Sequence, residues 1–256
     1  MFLNILVCIK QVPDSTEILL DDNNSLVRDF ISQIINPADE SALELALALK
    51  DKHGGSVSVM TMGKKKAEGM LRETASRGVD TLYLLNDRAF AGADTLATSR
   101  TLHAAIQKTG PFDLILCGRR STDGETGQVG PELAALLNIP ILTNATKFKV
   151  EKENATILRL LEEGIETLTF SLPAVVTICE WSYPLRLPTI LGLKRARVAT
   201  IQRFRLSDLT ISHEDCGLKG SPTRVTRVMA QTGGIRYSEK TYDAIAGADK
   251  VLEKVR

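Results

Sequence analysis

The segment Cys117-Gly118-Arg119-Arg120-Ser121-Thr122-Asp123-Gly124-Glu125-Thr126-Gly127-Gln128-Val129-Gly130-Pro131 concentrates the residues best suited to chemistry. Its four glycines let main-chain N–H groups approach an anion, and a helix that starts at its end adds partial positive charge. The adjacent Arg119 and Arg120 offer forked donors that suit phosphate. The chemistry on offer is therefore phosphate binding. No Gly-Lys-Ser/Thr closes the segment, so it is not a Walker A loop, and it is not GxGxxG. A long surface turn would use similar residues. The apolar run just before it favours the phosphate reading.

Two other loops share this placement. Asn36-Pro37-Ala38-Asp39-Glu40 opens a helix, with Asn as N-cap, Pro at the first helical position and acids in the first turn. From spacing alone it fits a plain cap as well as a binding loop. Asp87-Arg88-Ala89-Phe90-Ala91-Gly92-Ala93-Asp94-Thr95 is the third, where Asp94 or Thr95 could equally be a cap. His53, His103 and His213 have no carboxylate or cysteine at catalytic or ligand spacing, and no GxSxG or HExxH is present. Cys8, Cys117, Cys179 and Cys216 form no CxxC, which argues against a zinc or iron–sulfur site. Lys194-Arg195-Ala196-Arg197 reads as a solvated helix end or a docking cluster.

These loops need a scaffold, and hydrophobic patterning supplies one. Asn4–Ile9, Ser56–Met62, Thr81–Leu85 and Asp113–Cys117 are apolar runs typical of buried strands. Helical stretches lie between them, starting at Asn36, near Lys65–Ser76, from about Asp94 to Lys108, and from Gln128 to before Pro140. Alternation of strand and helix predicts an α/β fold with a parallel, doubly wound, Rossmann-like sheet. Ligands bind such sheets at the carboxyl ends of the strands, where the three loops converge. Thr156–Leu161 and Ile165–Phe170 flank Glu162-Glu163-Gly164 as an antiparallel hairpin, and Ala174–Cys179 follows as another buried strand. A short basic helix is expected over Thr189–Arg197. Residues 198–236 show no persistent period, and Ser238–Arg256 reads as an amphipathic helix. The expected division is an α/β domain over 1–197 and a C-terminal arm over 198–256 that packs on a partner.

Composition narrows the function classes. With 32 Lys plus Arg against 31 Asp plus Glu, the formal charge is +1, which argues against a general nucleic-acid binder. No apolar run approaches the roughly 18–20 residues needed to span a bilayer, and no signal peptide is expected. Cysteines inside apolar runs suit a reduced, cytoplasmic protein.

The motifs Lys10–Asp14 (KQVPD), Asn36–Glu44 (NPADESALE), Asp87–Ser99 (DRAFAGADTLATS), Cys117–Pro131 and Leu172–Ile178 (LPAVVTI) together resemble the β subunit of electron-transferring flavoproteins. The resemblance runs in order along nearly the whole chain. It implies a heterodimer with a larger α subunit that carries the electron-transferring FAD, and a tail that wraps this partner. β subunits of one type hold a structural AMP. Those of the electron-bifurcating type hold a second FAD that takes hydride from NADH, and the loops here look like the latter. The resemblance then implies that one electron goes to a low-potential acceptor such as ferredoxin. The other goes through the α-subunit FAD to a flavin dehydrogenase.

Carried over position by position, Cys8, Asn36, Asp39 and Met62 match places around the adenosine. Gly118, Arg119 and the run Asp123, Gly124, Glu125, Thr126, Gly127, Gln128, Val129, Gly130 match the phosphate cradle. Asp94, Thr95 and Thr98 match the loop near the flavin ring. No side chain is expected to act as a catalytic acid or base. In the stretch Arg186-Leu187-Pro188-Thr189-Ile190-Leu191-Gly192-Leu193, Ile190 takes the position that anchors a dehydrogenase, with Leu191 beside it. The altered flanks make a lactate or other hydroxyacid dehydrogenase a candidate alongside the acyl-CoA type. Two alternatives remain: a non-bifurcating β subunit with AMP, and an adenine-nucleotide-sensing module that needs no α partner.

Overall fold

The N-terminal apolar run forms β1 (Leu3–Cys8), followed by the short β2 (Gln11–Pro13) and β3 (Gln33–Ile35). Then come α1 (Pro37–His53), β4 (Gly55–Met62), α2 (Glu68–Ser76), β5 (Thr81–Leu85), α3 (Thr95–Thr109), β6 (Leu114–Gly118) and α4 (Val129–Leu137). The remainder is β7 (Ile141–Glu151), β8 (Asn154–Leu161), β9 (Gly164–Ser171), β10 (Ala174–Ile178), α5 (Ile190–Val198) and β11 (Ile201–Phe204). This computed structural model describes residues 2–14, 32–151 and 154–224, together with Asp243, Ile245 and Ala248.

Among the described residues, nine strands form one sheet in the order β11-β5-β4-β1-β6-β10-β7-β8-β9. Pairing is parallel from β11 to β7 and antiparallel across β7-β8-β9. The order runs outward from β1 in both directions, so the switch point lies between β1 and β6, where Cys8 pairs with Cys117. The small β2–β3 pair stands beside the main sheet. The expected α/β fold, with its antiparallel hairpin, is present.

Helices cover both faces because the strands are apolar on both. On one face Leu3, Ile5 and Val7 pack under α1 and α2, through residues such as Leu43, Leu47 and Leu71. On the other, Leu6, Met60 and Ile115 pack under α3 and α4, through Leu102, Ile106 and Leu133. Each such side chain, wholly removed from water, contributes about 1.5–3 kcal/mol. α1 obeys its end signals: Pro37 at the first turn, Asp39 and Glu40 next, Lys50, Lys52 and His53 in the last turn, and Gly54 as the stop.

Four strands escape sequence patterning. β7 is broken at Asn144, whose φ of 59° accompanies a shift in register against both neighbours, so no continuous alternation is visible. β2 and β3 have three residues each. β11 has four residues, two of them exposed, at the sheet edge. β11 pairs with β5, and the first compact unit extends to Arg224. Residues 198–224 lie in that first compact unit. The helix expected over 238–256 falls outside the described residues, apart from three isolated positions.

Candidate functional site

α1 begins against the carboxyl ends of β1 and β6, and its first residues grip both. Asp39, 5% exposed, accepts from Lys10 N at 2.7 Å and from Gly118 N at 2.9 Å. Asn36, 1% exposed, stands at the cap position but makes no side-chain cap bond. Its amide donates to Arg120 O at 2.9 Å and accepts from Thr122 N at 3.2 Å, so the cap residue ties down the following loop. Burial pushes the Asp39 carboxyl up to about 7, against the opposing pull of the Lys10 amide, Asn36 and the Gly118 amide. Lys10 extends the link, since its Nζ lies 2.6 Å from Asp123 Oδ1. Burial works against ionisation of Asp123, but this ammonium holds its carboxyl below the ordinary range.

The loop from Gly118 to Gly130 then crosses to α4. A methyl at Gly118 would overlap Asp39, and one at Gly130 would press on Thr177, so both glycines permit close packing of helix and strand. Gly127 has φ 64°, a turn that other residues adopt at a cost. The N–H groups of Thr126, Gly127 and Gln128, at the start of α4, make no hydrogen bond to another described residue. Beside them is a cavity of about 320 Å³ lined by Arg119, Arg120, Glu125, Thr126, Gly127, Thr143, Asn144 and Thr177. Glu180 sits between the two guanidinium groups, 3.0 Å from Arg119 Nη2 and 3.3 Å from Arg120 Nε. Glu125 Oε1 is a second, more distant acid, 3.9 Å from Arg120 Nη1, and among the described residues Arg119 Nε is buried without a hydrogen bond. Free amides, a helix start and two guanidiniums make this an anion-receptive surface.

The loop before α3 closes the other flank. Asp94 caps α3 by accepting from Ala97 N at 3.0 Å, and its second oxygen accepts from Thr223 N at 3.0 Å and Thr223 Oγ1 at 2.9 Å. Burial would raise the Asp94 carboxyl, but these donors hold it below the usual range. Thr95 Oγ1 lies 3.0 Å from Gln128 Oε1 and 3.1 Å from Glu132 Oε1, which joins this loop to the anion-receptive one. Thr98 continues the first turn of α3 through its N–H to Asp94 O. Met62 ends β4 on the face shared with Cys8 and Cys117. Both cysteines are buried, and the Cys117 thiol is pushed well above its ordinary value by its hydrogen bond with Cys8 and by burial.

The structure therefore brings the sequence-predicted residues to one sheet edge in three groups. Asn36 and Asp39 spend their polar atoms on main chain. Asp94, Thr95 and Gln128 are bonded among themselves or to Thr223. Arg119, Glu125, Thr126 and Gly127 face the cavity, and Gly124 lies on the same loop. Sequence reasoning missed Glu180, Thr143, Asn144 and Thr177. Only the tertiary pairing of β6, β10 and β7 brings them to the loop, so no local signal existed. Ile190 and Leu191 start α5, capped by Thr189, and are 77% and 66% exposed. Leu187 and Trp181, also missed, are exposed to a similar degree. Among the described residues no cluster of His, Cys, Asp or Glu could hold a metal ion, and no helix is long and apolar enough to cross a membrane.

Comparison with known proteins adds the following. Residues 25–209 match the electron transfer flavoprotein domain family. The chain is 40% identical over 259 residues to the caffeyl-CoA reductase-Etf complex subunit CarD of Acetobacterium woodii, covering 98% of this chain and 99% of that one. It is 43% identical over 226 residues to an electron transfer flavoprotein subunit beta of Thermoanaerobacterium thermosaccharolyticum, covering 87% and 86%. Protein FixA of Bradyrhizobium diazoefficiens is 42% identical over 234 residues, covering 88% and 81%.

Proposed function

This chain belongs to the electron transfer flavoprotein family as a β subunit, the partner of an α subunit, and from that premise we propose that it holds FAD on the Gly118–Gly130 loop and serves electron bifurcation. The observation that carries this reading is the set of free N–H groups at Thr126, Gly127 and Gln128, next to the paired guanidiniums of Arg119 and Arg120. Such a cradle fits the diphosphate of a dinucleotide. FAD bound there would supply hydride acceptance from NADH and one-electron transfer.

The chain's own residues hold and orient that group. The start of α4 meets negative charge with its amides. Arg119 and Arg120, kept in place by Glu180, neutralise what the amides leave. Thr95, joined to Gln128 and Glu132, fixes the distance between the diphosphate loop and the loop that approaches the ring. Membership of CarD in a caffeyl-CoA reductase-Etf complex supports an acyl-CoA type of dehydrogenase as partner, with a hydroxyacid dehydrogenase as the other candidate. The exposed Leu187, Ile190 and Leu191 form the docking strip for it. Ferredoxin is the proposed low-potential acceptor.

The test is reconstitution of the heterodimer with its dehydrogenase. Reduction of ferredoxin by NADH should require the dehydrogenase and its oxidised substrate together. NADH that fails to reduce any flavin of the heterodimer would overturn the proposal.

A further inference from the structure

Lys10 N and Gly118 N leave two neighbouring strands, β1 and β6, at the switch point, and both end on one carboxylate. Asn36, one turn earlier in the chain, holds Arg120 O and Thr122 N. Two side chains at one helix start therefore fix four main-chain groups of two segments. Lys10 carries the effect outward, because its Nζ bonds Asp123 at 2.6 Å and approaches Ser121 Oγ at 3.4 Å. We propose that Asp39 is a positioning residue: its carboxylate latches the β1 exit to the β6 exit and, through Lys10, sets the anion-receptive loop, so that uptake of a proton by Asp39 loosens the loop and weakens nucleotide binding.

The chemistry follows from donor and acceptor counts. An ionised carboxylate offers two oxygens that only accept. Once protonated, one oxygen carries a hydrogen and turns a donor toward a donor. One of the two amides then lacks a full acceptor in a site closed to water, which is costly. The charged or titratable groups facing Asp39 are Lys10 at the β1 exit and Cys117 at the end of β6, whose thiol stays protonated. β4 and β10, which also pack on α1, contain no charged residue. Burial places the proton exchange near neutrality.

The signs separate this role from a purely structural one. The folded-state value lies above the ordinary 3.8, so the folded protein binds the extra proton between about pH 4 and 7. The Asp39 contribution to folding stability therefore declines as pH rises through that window. Nucleotide affinity should move the opposite way.

The inference rests on the nucleotide reading of the loop. The experiment strips the heterodimer of ligand and titrates it with FAD, whose diphosphate does not titrate between pH 6 and 8, at constant ionic strength. Affinity should rise several-fold across that range, bounded by about tenfold per pH unit for one proton, and Asp39→Asn should bind more weakly with a flat profile. A flat wild-type profile, or a sloping Asp39→Asn profile, would overturn the latch; if the variant does not assemble, the wild-type profile decides. If FAD does not bind at any pH, the functional reading has failed instead. The latch is then read from hydrogen exchange of the wild-type protein: protection of the Lys10 and Gly118 amides, corrected for intrinsic rates, should fall from pH 8 to 6. Constant protection would refute it.

Discussion

Gly118→Ala probes the point where helix, strand and loop meet. The added methyl would overlap Asp39 Oδ1 and lie 2.8 Å from Ala38 Cβ and 2.9 Å from the Ala38 carbonyl carbon. Carbon atoms pack at about 3.5–4.0 Å, so the first turn of α1 must retreat by roughly 1 Å. That retreat breaks the 2.9 Å bond from Gly118 N to Asp39. Overpacking of this kind costs about 1–3 kcal/mol, and losing a hydrogen bond to a charged group about 1.5–3 kcal/mol. Together they remove about 2.5–6 kcal/mol, a large share of the roughly 5–15 kcal/mol that a folded protein possesses. With a urea slope of about 3 kcal/mol/M, the unfolding midpoint should fall by about 1–2 M, followed by far-UV circular dichroism. Gly124→Ala is the control. Its methyl would meet Ser121 Oγ at 3.4 Å and nothing else within 4 Å. It should stay within about 0.5 kcal/mol of the parent. If Gly118→Ala is as mild as Gly124→Ala, the close approach of α1 to the β6 exit is wrong.

Thr95→Val removes the hydroxyl between Gln128 and Glu132 and should cost about 1–2 kcal/mol in thermal unfolding, with faster exchange of the Glu132 amide, which donates to Gln128 O at 2.9 Å; unchanged exchange would show that the two loops are not coupled. Glu180→Gln leaves Arg119 and Arg120 side by side without their shared acid. Burial works against ionisation of Glu180, but its own backbone amide and the Arg119 guanidinium hold the carboxyl below the ordinary value. Its stabilisation is thus complete above about pH 5 and lost as pH falls toward the folded value, so stability of the parent should drop more steeply on acidification than that of the variant. Parallel acid profiles would contradict this. Ile190→Asp and Leu187→Asp should reduce coupling to the dehydrogenase by about 30-fold or more, as expected for a buried apolar anchor, with nucleotide content intact. Coupling at the parental rate would remove the strip from the interface.

The central sheet was legible because its strands are buried on both faces, so runs such as Leu3–Cys8 and Ala174–Ile178 stand out without any partner in view. The helix starts at Pro37 and Thr95 were legible from Asn36, Pro37 and Asp94. β7 was not, because Asn144 turns the chain through a positive φ and interrupts the alternation. The loop at 117–131 announced itself by composition, but the uses of its residues did not. Gly118 is a glycine because Asp39 occupies the space beside it, and Asn36 forgoes its cap to hold Arg120 and Thr122. Glu180 belongs to the site only because β10 lies next to β6. Such facts depend on pairings between distant segments.

The measurement that bears most directly on the account is release and counting of the nucleotides in the purified heterodimer. Denaturation should liberate two FAD for each pair of subunits and no AMP. One FAD with one AMP would contradict the proposed division of electrons, leaving the Gly118–Gly130 loop as the seat of a single phosphate.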